Sequence, residues 1–367
     1  MNNNTMNRLQ PEAAQSGSPG MLRCGDRVRI RPLDEILATL DAQGTLAGLP
    51  FMPEMVAFCG RTLTVGRRVE HVYIDHLHHV VRLADAVVLD AVRCSGAAHQ
   101  GCQMGCQLIW KTAWLTGTEA PLADDRAPVS GAAIDLAADW PFPVEREGRL
   151  FCQASQLPTF AERIPWWNVR QYLTGLRAGN FSFRELFRSL VILVRNRIRW
   201  WQGKGPVGML SGPQTRTPIE SLQLQPGEWV EVKSLAEIES TLDAHGKHRG
   251  MAFVPEMALY CGKRFRVARR VERMIQEDTG KMRQLRDTVA LESVTCMGIA
   301  QRQCPRRCFH LWREGWLKRV SDPACGPPSG VRVSDPQTAC ITAANPAINP
   351  TALTTLDLPV FQSPVSS

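Results

Sequence analysis

Apolar and polar positions alternate along Arg27-Val28-Arg29-Ile30 and again along Trp229-Val230-Glu231-Val232, the period-two pattern of a half-buried strand. A short helix is predicted after each. In the second stretch Ser234 stands three residues before Glu237, the capping-box spacing, and Ile238, Leu242 and then Gly246 supply an apolar face and a stop. Two longer β-like stretches follow a Pro-Glu-Met segment, at 62–72 and 84–93, and once more at 264–274 and 286–295. Between the later pair, Glu277-Asp278-Thr279-Gly280-Lys281 is a turn-rich string suited to a hairpin. Trp110 and Trp114, then Trp312 and Trp316, stand four residues apart, which predicts a short closing helix with its rings on one core-facing side.

These parallels share one register. Cys59, Cys94, Cys102 and Cys106 recur as Cys261, Cys296, Cys304 and Cys308, each 202 residues further on, so no insertion separates the copies within this frame. Gly25 maps onto Gly227, and Pro53-Glu54-Met55 onto Pro255-Glu256-Met257. The duplicated units are about 25–118 and 227–320, too long for a solenoid period and of a size to enclose a core each. The expected fold class is α+β: two homologous small antiparallel, barrel-like β domains, each closed by a short helix and joined by a partly helical connector. The Gly-acidic-x-Val strand start followed by short strands resembles the SH3-like small barrels. The tandem units resemble an uncharacterised Cys-rich bacterial domain that occurs in such pairs, a resemblance that implies no activity.

The connector, 119–226, differs in kind. Its first part, 119–160, is rich in Pro, Ala and Asp and reads as extended. Residues 181–202 read as one helix, with Phe183, Leu186, Phe187, Leu190, Val191, Val194, Ile198 and Trp201 on one face and Arg184, Arg188, Arg195 and Arg199 opposite. Residues 1–24 and the Pro-, Ala-, Thr- and Ser-rich 321–367 are expected to be disordered, because such composition cannot bury enough apolar surface to offset ordering entropy.

The recurrent thiols carry the chemistry. The amino terminus lacks the apolar stretch of a signal peptide, so the expectation is a cytoplasmic, reducing setting, where repeated Cys spacing points to metal ligation rather than disulfides. Four thiolates per unit suit a closed tetrahedral zinc site or an iron–sulfur cluster, and two zinc sites are favoured over two clusters. Buried structural thiols and disulfides are the competing readings. Cys24, Cys152, Cys325 and Cys340 fall outside the repeat frame and are expected to be incidental.

His99 lies among the first thiols, but its counterpart is Gln301, which excludes it from a repeated ligand set. His71, His76, His78 and His79 likewise have no repeated partners and read as a solvated hairpin tip. Glu54 is the candidate for a special carboxylate, with backbone capping or pairing to Arg68 as the plainer role. A four-thiol zinc leaves no open position to activate water, and neither a Gly-rich phosphate loop nor a nucleophile elbow is visible, which shifts weight away from an enzyme.

Composition fits an ordinary globular chain, 44% hydrophobic and 21% charged over 367 residues, and the net charge of +8 favours acidic partners. Three functions follow as expectations. The first is a non-catalytic, metal-stabilised tandem-domain binding or scaffold protein with a protein partner. The second is an iron–sulfur redox or accessory protein for an oxidoreductase. The third is a peripheral membrane protein bound to an anionic surface through the basic helix, with nucleic acid as the weaker choice of polyanion.

Overall fold

The computed structural model describes residues 21–117, 140–165, 167–203 and 207–321. The expected disorder of 1–24 and 321–367 falls mostly outside them, as do Cys325 and Cys340; of the remainder, Leu22 is buried in the first core and Cys24 N–H donates to Ala178 O at 3.1 Å. Strands dominate, helices are few, and the larger sheet curls as a half-barrel. In that sheet Arg163–Ile164, His79–Arg93, Thr62–Ile74, Arg27–Ile30 and Leu115–Gly117 lie side by side, and Gln107–Lys111 pairs further along His79–Arg93. The second sheet runs Phe309–Arg313, Thr288–Thr295, Arg264–Arg270, Trp229–Val232, Leu317–Arg319.

The registers match as well as the order. Arg27 pairs with Thr64 and Trp229 with Arg266, both antiparallel. Each sheet is bulged at the equivalent place, between Val65 and Arg67 and between Val267 and Arg269. Two short helices follow the opening strands as expected, α1 (Leu33–Leu37) in the first unit and a counterpart, Leu235–Glu239, in the second. The Ser234–Glu237 capping box forms, with Ser234 N–H donating to the Glu237 carboxylate at 2.9 Å.

The closing helix does not form. Gln107–Lys111 is a strand, Thr112–Trp114 a single 3-10 turn, and Leu115–Gly117 a second strand; Phe309–Arg313, Glu314–Trp316 and Leu317–Arg319 repeat the arrangement. Pairing decides this, because Val87 opposite Trp110 and Val88 opposite Ile109 satisfy the backbone across the sheet instead of along a helix. The 3-10 turn then brings the second tryptophan back to the same interior. The core role of the rings holds: Trp110, Trp114, Trp312 and Trp316 are fully buried. Trp114 Nε1 donates to Thr39 Oγ1 at 3.0 Å, and Trp316 Nε1 to Thr241 Oγ1 at 3.2 Å.

The connector holds more structure than its composition predicts. A hairpin of Glu145–Arg146 and Arg149–Leu150 leads into α2 (Gln153–Phe160). Gln153 fixes α2 to the first unit: its Oε1 accepts from Ile109 N–H at 2.9 Å, and its Nε2 donates to Pro50 O at 3.0 Å and Ile109 O at 2.8 Å. Arg163–Ile164 adds an edge strand to the first sheet opposite Val81 and Val80. Then come α3 (Arg170–Arg177) and α4 (Phe183–Trp201).

The two units are bound to each other in a reciprocal way. His71 Nε2 donates to Arg302 O at 3.0 Å, and at the equivalent positions Arg273 reaches Gln100 O at 3.4 Å. Gln103 N–H donates to Arg273 O at 3.0 Å, and Gln103 Oε1 accepts from Glu272 N–H at 2.6 Å. Such exchange, with each unit offering the same patch to the other, is the geometry of an isologous dimer within one chain. Ile275 and Cys304 of the second unit enter the apolar core of the first. His71 therefore does not belong to the hairpin tip with His76 and His78; it is buried in this contact, and desolvation pushes its pKa down to about 4.

Candidate functional site

Each thiol loop is a tight return held by glycine. In the first, Cys94 N–H donates to Cys106 O at 2.8 Å, and both His99 and Gly101 donate backbone N–H groups to Gly96 O at 3.0 Å. In the second, Cys296 N–H donates to Cys308 O at 2.8 Å and Gln303 N–H to Gly298 O at 2.7 Å. Gly96 and Gly298 have φ of 73° and 75°, and a Cβ there would stand 1.9 Å from Cys102 O or 2.3 Å from Cys304 O. No other residue fits without moving the backbone that presents the thiols. Gly298 N–H also donates to Cys296 Sγ at 3.3 Å, the kind of contact that favours a thiolate.

Both loops open onto one cavity of about 620 Å³ between the units. Cys94, Cys102 and Cys106 line it from one side and Cys296, Cys304 and Cys308 from the other. Thus three of the four expected thiols of each unit face a common space. Cys59 and Cys261 are not among its walls; each ends a 3-10 turn, Pro53–Phe58 or Pro255–Tyr260. Cys152, outside the repeat frame, lines the cavity from the start of α2. Tyr73 N–H of the first unit donates to Cys304 Sγ of the second at 3.4 Å.

Burial disfavours the thiolate at five of the lining cysteines. It pushes Cys304 up to about 11 and raises Cys94, Cys106, Cys152 and Cys296 above the ordinary thiol value. For Cys94 the negative charge of Glu54 adds to the effect, and for Cys296 that of Glu256. Cations stand close by. Arg93 and Arg306 are mostly buried beside the Cys106 and Cys308 thiols, positioned to balance negative sulfur, and Arg306 also pairs with Glu277. Arg93 donates to Gly105 O at 2.8 Å and Arg307 O at 3.2 Å, so it spans both thiol loops.

Behind the thiols each unit buries a Glu–His pair. Glu54 Oε1 accepts from His99 Nδ1 at 2.8 Å and from Ala98 N–H at 3.2 Å. Glu54 does not pair with Arg68, which bonds to Glu70 instead. Desolvation raises the Glu54 pKa, but the hydrogen bond and charge of His99 outweigh it and the net shift is downward. Its apolar neighbours therefore do not make it a raised-pKa acid. In the second unit Glu256 Oε2 accepts from His310 Nε2 and Met297 N–H, both at 3.1 Å.

Sequence reasoning missed this, because Gln301 replaces His99 in the repeat frame while His310 stands where the first unit has Leu108. A loop histidine and a strand histidine reach the same carboxylate from different places. The available signal was His310 itself, two residues before the core Trp312 and so on the same side of its strand.

Ligand atoms of Glu54, Cys94 and His99 lie within 4.8 Å of one another, a grouping of metal-binding type among the described residues. His99 is partly committed, since Nδ1 faces Glu54 at 2.8 Å and Nε2 faces Phe151 O at 3.2 Å, an oxygen acceptor at each ring nitrogen. The atoms left for a cation are Cys94 Sγ and Glu54 Oε2, which is buried without a hydrogen-bond partner. Glu256 Oε1 is in the same condition. No protein-family model, curated protein or solved structure matches this chain.

Proposed function

We propose that the chain is a non-catalytic, metal-stabilised tandem-domain protein, in which two homologous barrel-like units hold zinc through their paired thiol loops and present a fused pair of similar surfaces to a protein partner. The observation that carries this reading is the convergence of Cys94, Cys102 and Cys106 with Cys296, Cys304 and Cys308 on one cavity. Zinc selects thiolate sulfur, and the three sulfurs of each unit would have to draw together around it, since among the described residues no three of them lie within 4.8 Å of one another. Cys59 and Cys261 are the fourth donors of the repeat frame; in the first unit the Glu54 carboxylate, within 4.8 Å of Cys94 Sγ, is the alternative.

The residues' own protonation gives such a site its logic. Thiols whose ionisation burial disfavours must release protons as a cation enters, so metal uptake is coupled to pH and to closure of the two units. Arg93 and Arg306 then offset the negative charge of the thiolate set. A shared chamber favours a structural role, in which the metal fastens one half of the chain to the other.

Metal analysis and an absorption spectrum on the full chain, purified without oxygen, test the proposal. The expected result is colourless protein with zinc in stoichiometric amount, reduced by roughly half in Cys102→Ser and in Cys304→Ser. A brown protein containing iron and sulfide would replace zinc by iron–sulfur clusters and favour the redox reading. Protein with no metal above trace, or variants with unchanged content, would leave the thiols as packing groups and overturn the reading.

A further inference from the structure

The longest helix among the described residues turns an apolar stripe outward. Over the 19 residues of α4, the side turned to the body mixes polar groups with the half-buried Leu186, Ile192 and Leu193; Ser189 is 2% exposed, and its Oγ donates to Ile299 O at 2.8 Å. Asn196 Oδ1 accepts from Val207 N–H at 2.8 Å, and Glu185 closes a capping box with Ser182. The opposite side carries the apolar stripe. Phe183 is 75% exposed, Phe187 69%, Val194 54% and Trp201 70%, with Leu190 and Ile198 also exposed between them. This face therefore does not pack across the two units.

A surface helix ordinarily turns its apolar stripe inward, and exposed apolar area of this extent marks an interaction surface. The flanks indicate the occupant. At 100° per residue, Arg184, Arg188, Arg195 and Arg199 run down one border of the stripe, and Arg197 stands at the other, its guanidinium 4.8 Å from the Trp200 ring. Against these five cations the helix holds one acid, Glu185, which is committed to its own N-cap. Among the described residues no helix is long and apolar enough to cross a membrane.

We infer that α4 lies in the plane of an anionic lipid surface, with the Phe183–Trp201 stripe sunk to the headgroup boundary and the bordering arginines among lipid phosphates. In-plane helices join an apolar face to a basic margin in this way, and tryptophans favour the headgroup level. Protein partners with an acidic rim, a second copy of the chain, or its own segments 118–139 and 322–367 are the other possible occupants, and the experiment separates them.

The full chain is mixed with vesicles of neutral phosphatidylcholine, or of phosphatidylcholine with a third phosphatidylserine, and sedimented at low and high salt, while light scattering gives its mass without lipid. The expected result is sedimentation with the anionic vesicles at low salt, release at high salt, and little binding to neutral ones. Val194→Glu should weaken binding at least about tenfold by placing a charge in the stripe. Replacing Arg184, Arg188, Arg195 and Arg199 by Gln should weaken it about 100-fold or more. Both variants alter positions outside the core, and unchanged melting confirms their fold.

Absence of sedimentation with anionic vesicles at low salt overturns the inference, whichever other occupant holds the face. A dimer that Val194→Glu dissociates, in a chain that ignores vesicles, assigns the face to a second copy. Binding that survives Val194→Glu in a folded protein places the lipid contact elsewhere and overturns it equally. None of these outcomes depends on the metal content of the thiol chamber.

Discussion

Trp114→Ala is expected to cost roughly 3–5 kcal/mol of folding stability, as truncation of a large core aromatic generally does. Trp114 is fully buried, its ring meets Phe51 edge-on at 5.3 Å between centroids, and its indole N–H is used by Thr39. Alanine leaves a cavity that the 3-10 turn and its two flanking strands cannot collapse, because sheet pairing holds them on either side. Trp316→Ala should cost a similar amount, since Phe253 stands edge-on to it at 5.4 Å and Thr241 takes its indole N–H. Chemical denaturation of each variant measures the loss. Midpoints equal to that of the unaltered chain would place the rings outside the cores.

Glu314→Ala is expected to be comparably damaging, through charge rather than volume. Glu314 is fully buried and collects donors: Leu222 N–H at 2.6 Å and Gln223 N–H at 2.8 Å on one oxygen, Leu224 N–H at 3.1 Å and Arg270 Nη1 at 3.0 Å on the other. Removing the carboxylate strands three backbone donors and takes from Arg270 its buried partner, leaving it Leu224 O at 2.8 Å and the exposed Glu272 at 3.3 Å. Breaking a buried pair in this way costs about 3–5 kcal/mol. Glu314→Gln keeps one accepting oxygen and should lose less. Hydrogen exchange at Leu222, Gln223 and Leu224 checks the mechanism: their amides should lose protection in the Ala variant ahead of the strand Trp229–Val232. Uniform loss across the second sheet would refute a local anchoring role. Thr112 occupies the equivalent place in the first unit, so this anchor belongs to the second alone.

Much of the local structure was legible in the pattern of residues. Strict alternation set the strands Arg27–Ile30 and Trp229–Val232, and the Ser234–Glu237 spacing set the start of the helix after the second. What failed were inferences that needed the third dimension. Four-residue spacing of tryptophans suits one helical face, yet a strand followed by one 3-10 turn also returns both rings to one core, and only the partner strand at Val87 and Val88 decides between them. The stripe of α4 was visible as a stripe, but periodicity states that two faces differ and not which one the body receives; Ser189 and Asn196 settled that through bonds to residues far along the chain or beyond the helix end. The thiols were legible as a recurring set. That the sets of two units would share one space depends on contacts between the units such as His71 with Arg302 and Gln103 with Arg273, which no local pattern encodes.

The two Glu–His pairs are assembled from unlike parts of their units. Glu54 and Glu256 keep the same place in their units, while the imidazole that meets them comes from a loop in one and from a strand in the other. What is held constant is a neutralised carboxylate behind the thiols, not an identity at a given position. Where the first unit has His99 the second has Gln301, which contacts Cys296 Sγ at 3.5 Å. The halves are therefore not interchangeable parts: a chain assembled from the loop of one and the strand of the other would meet its carboxylate with two imidazoles or with none.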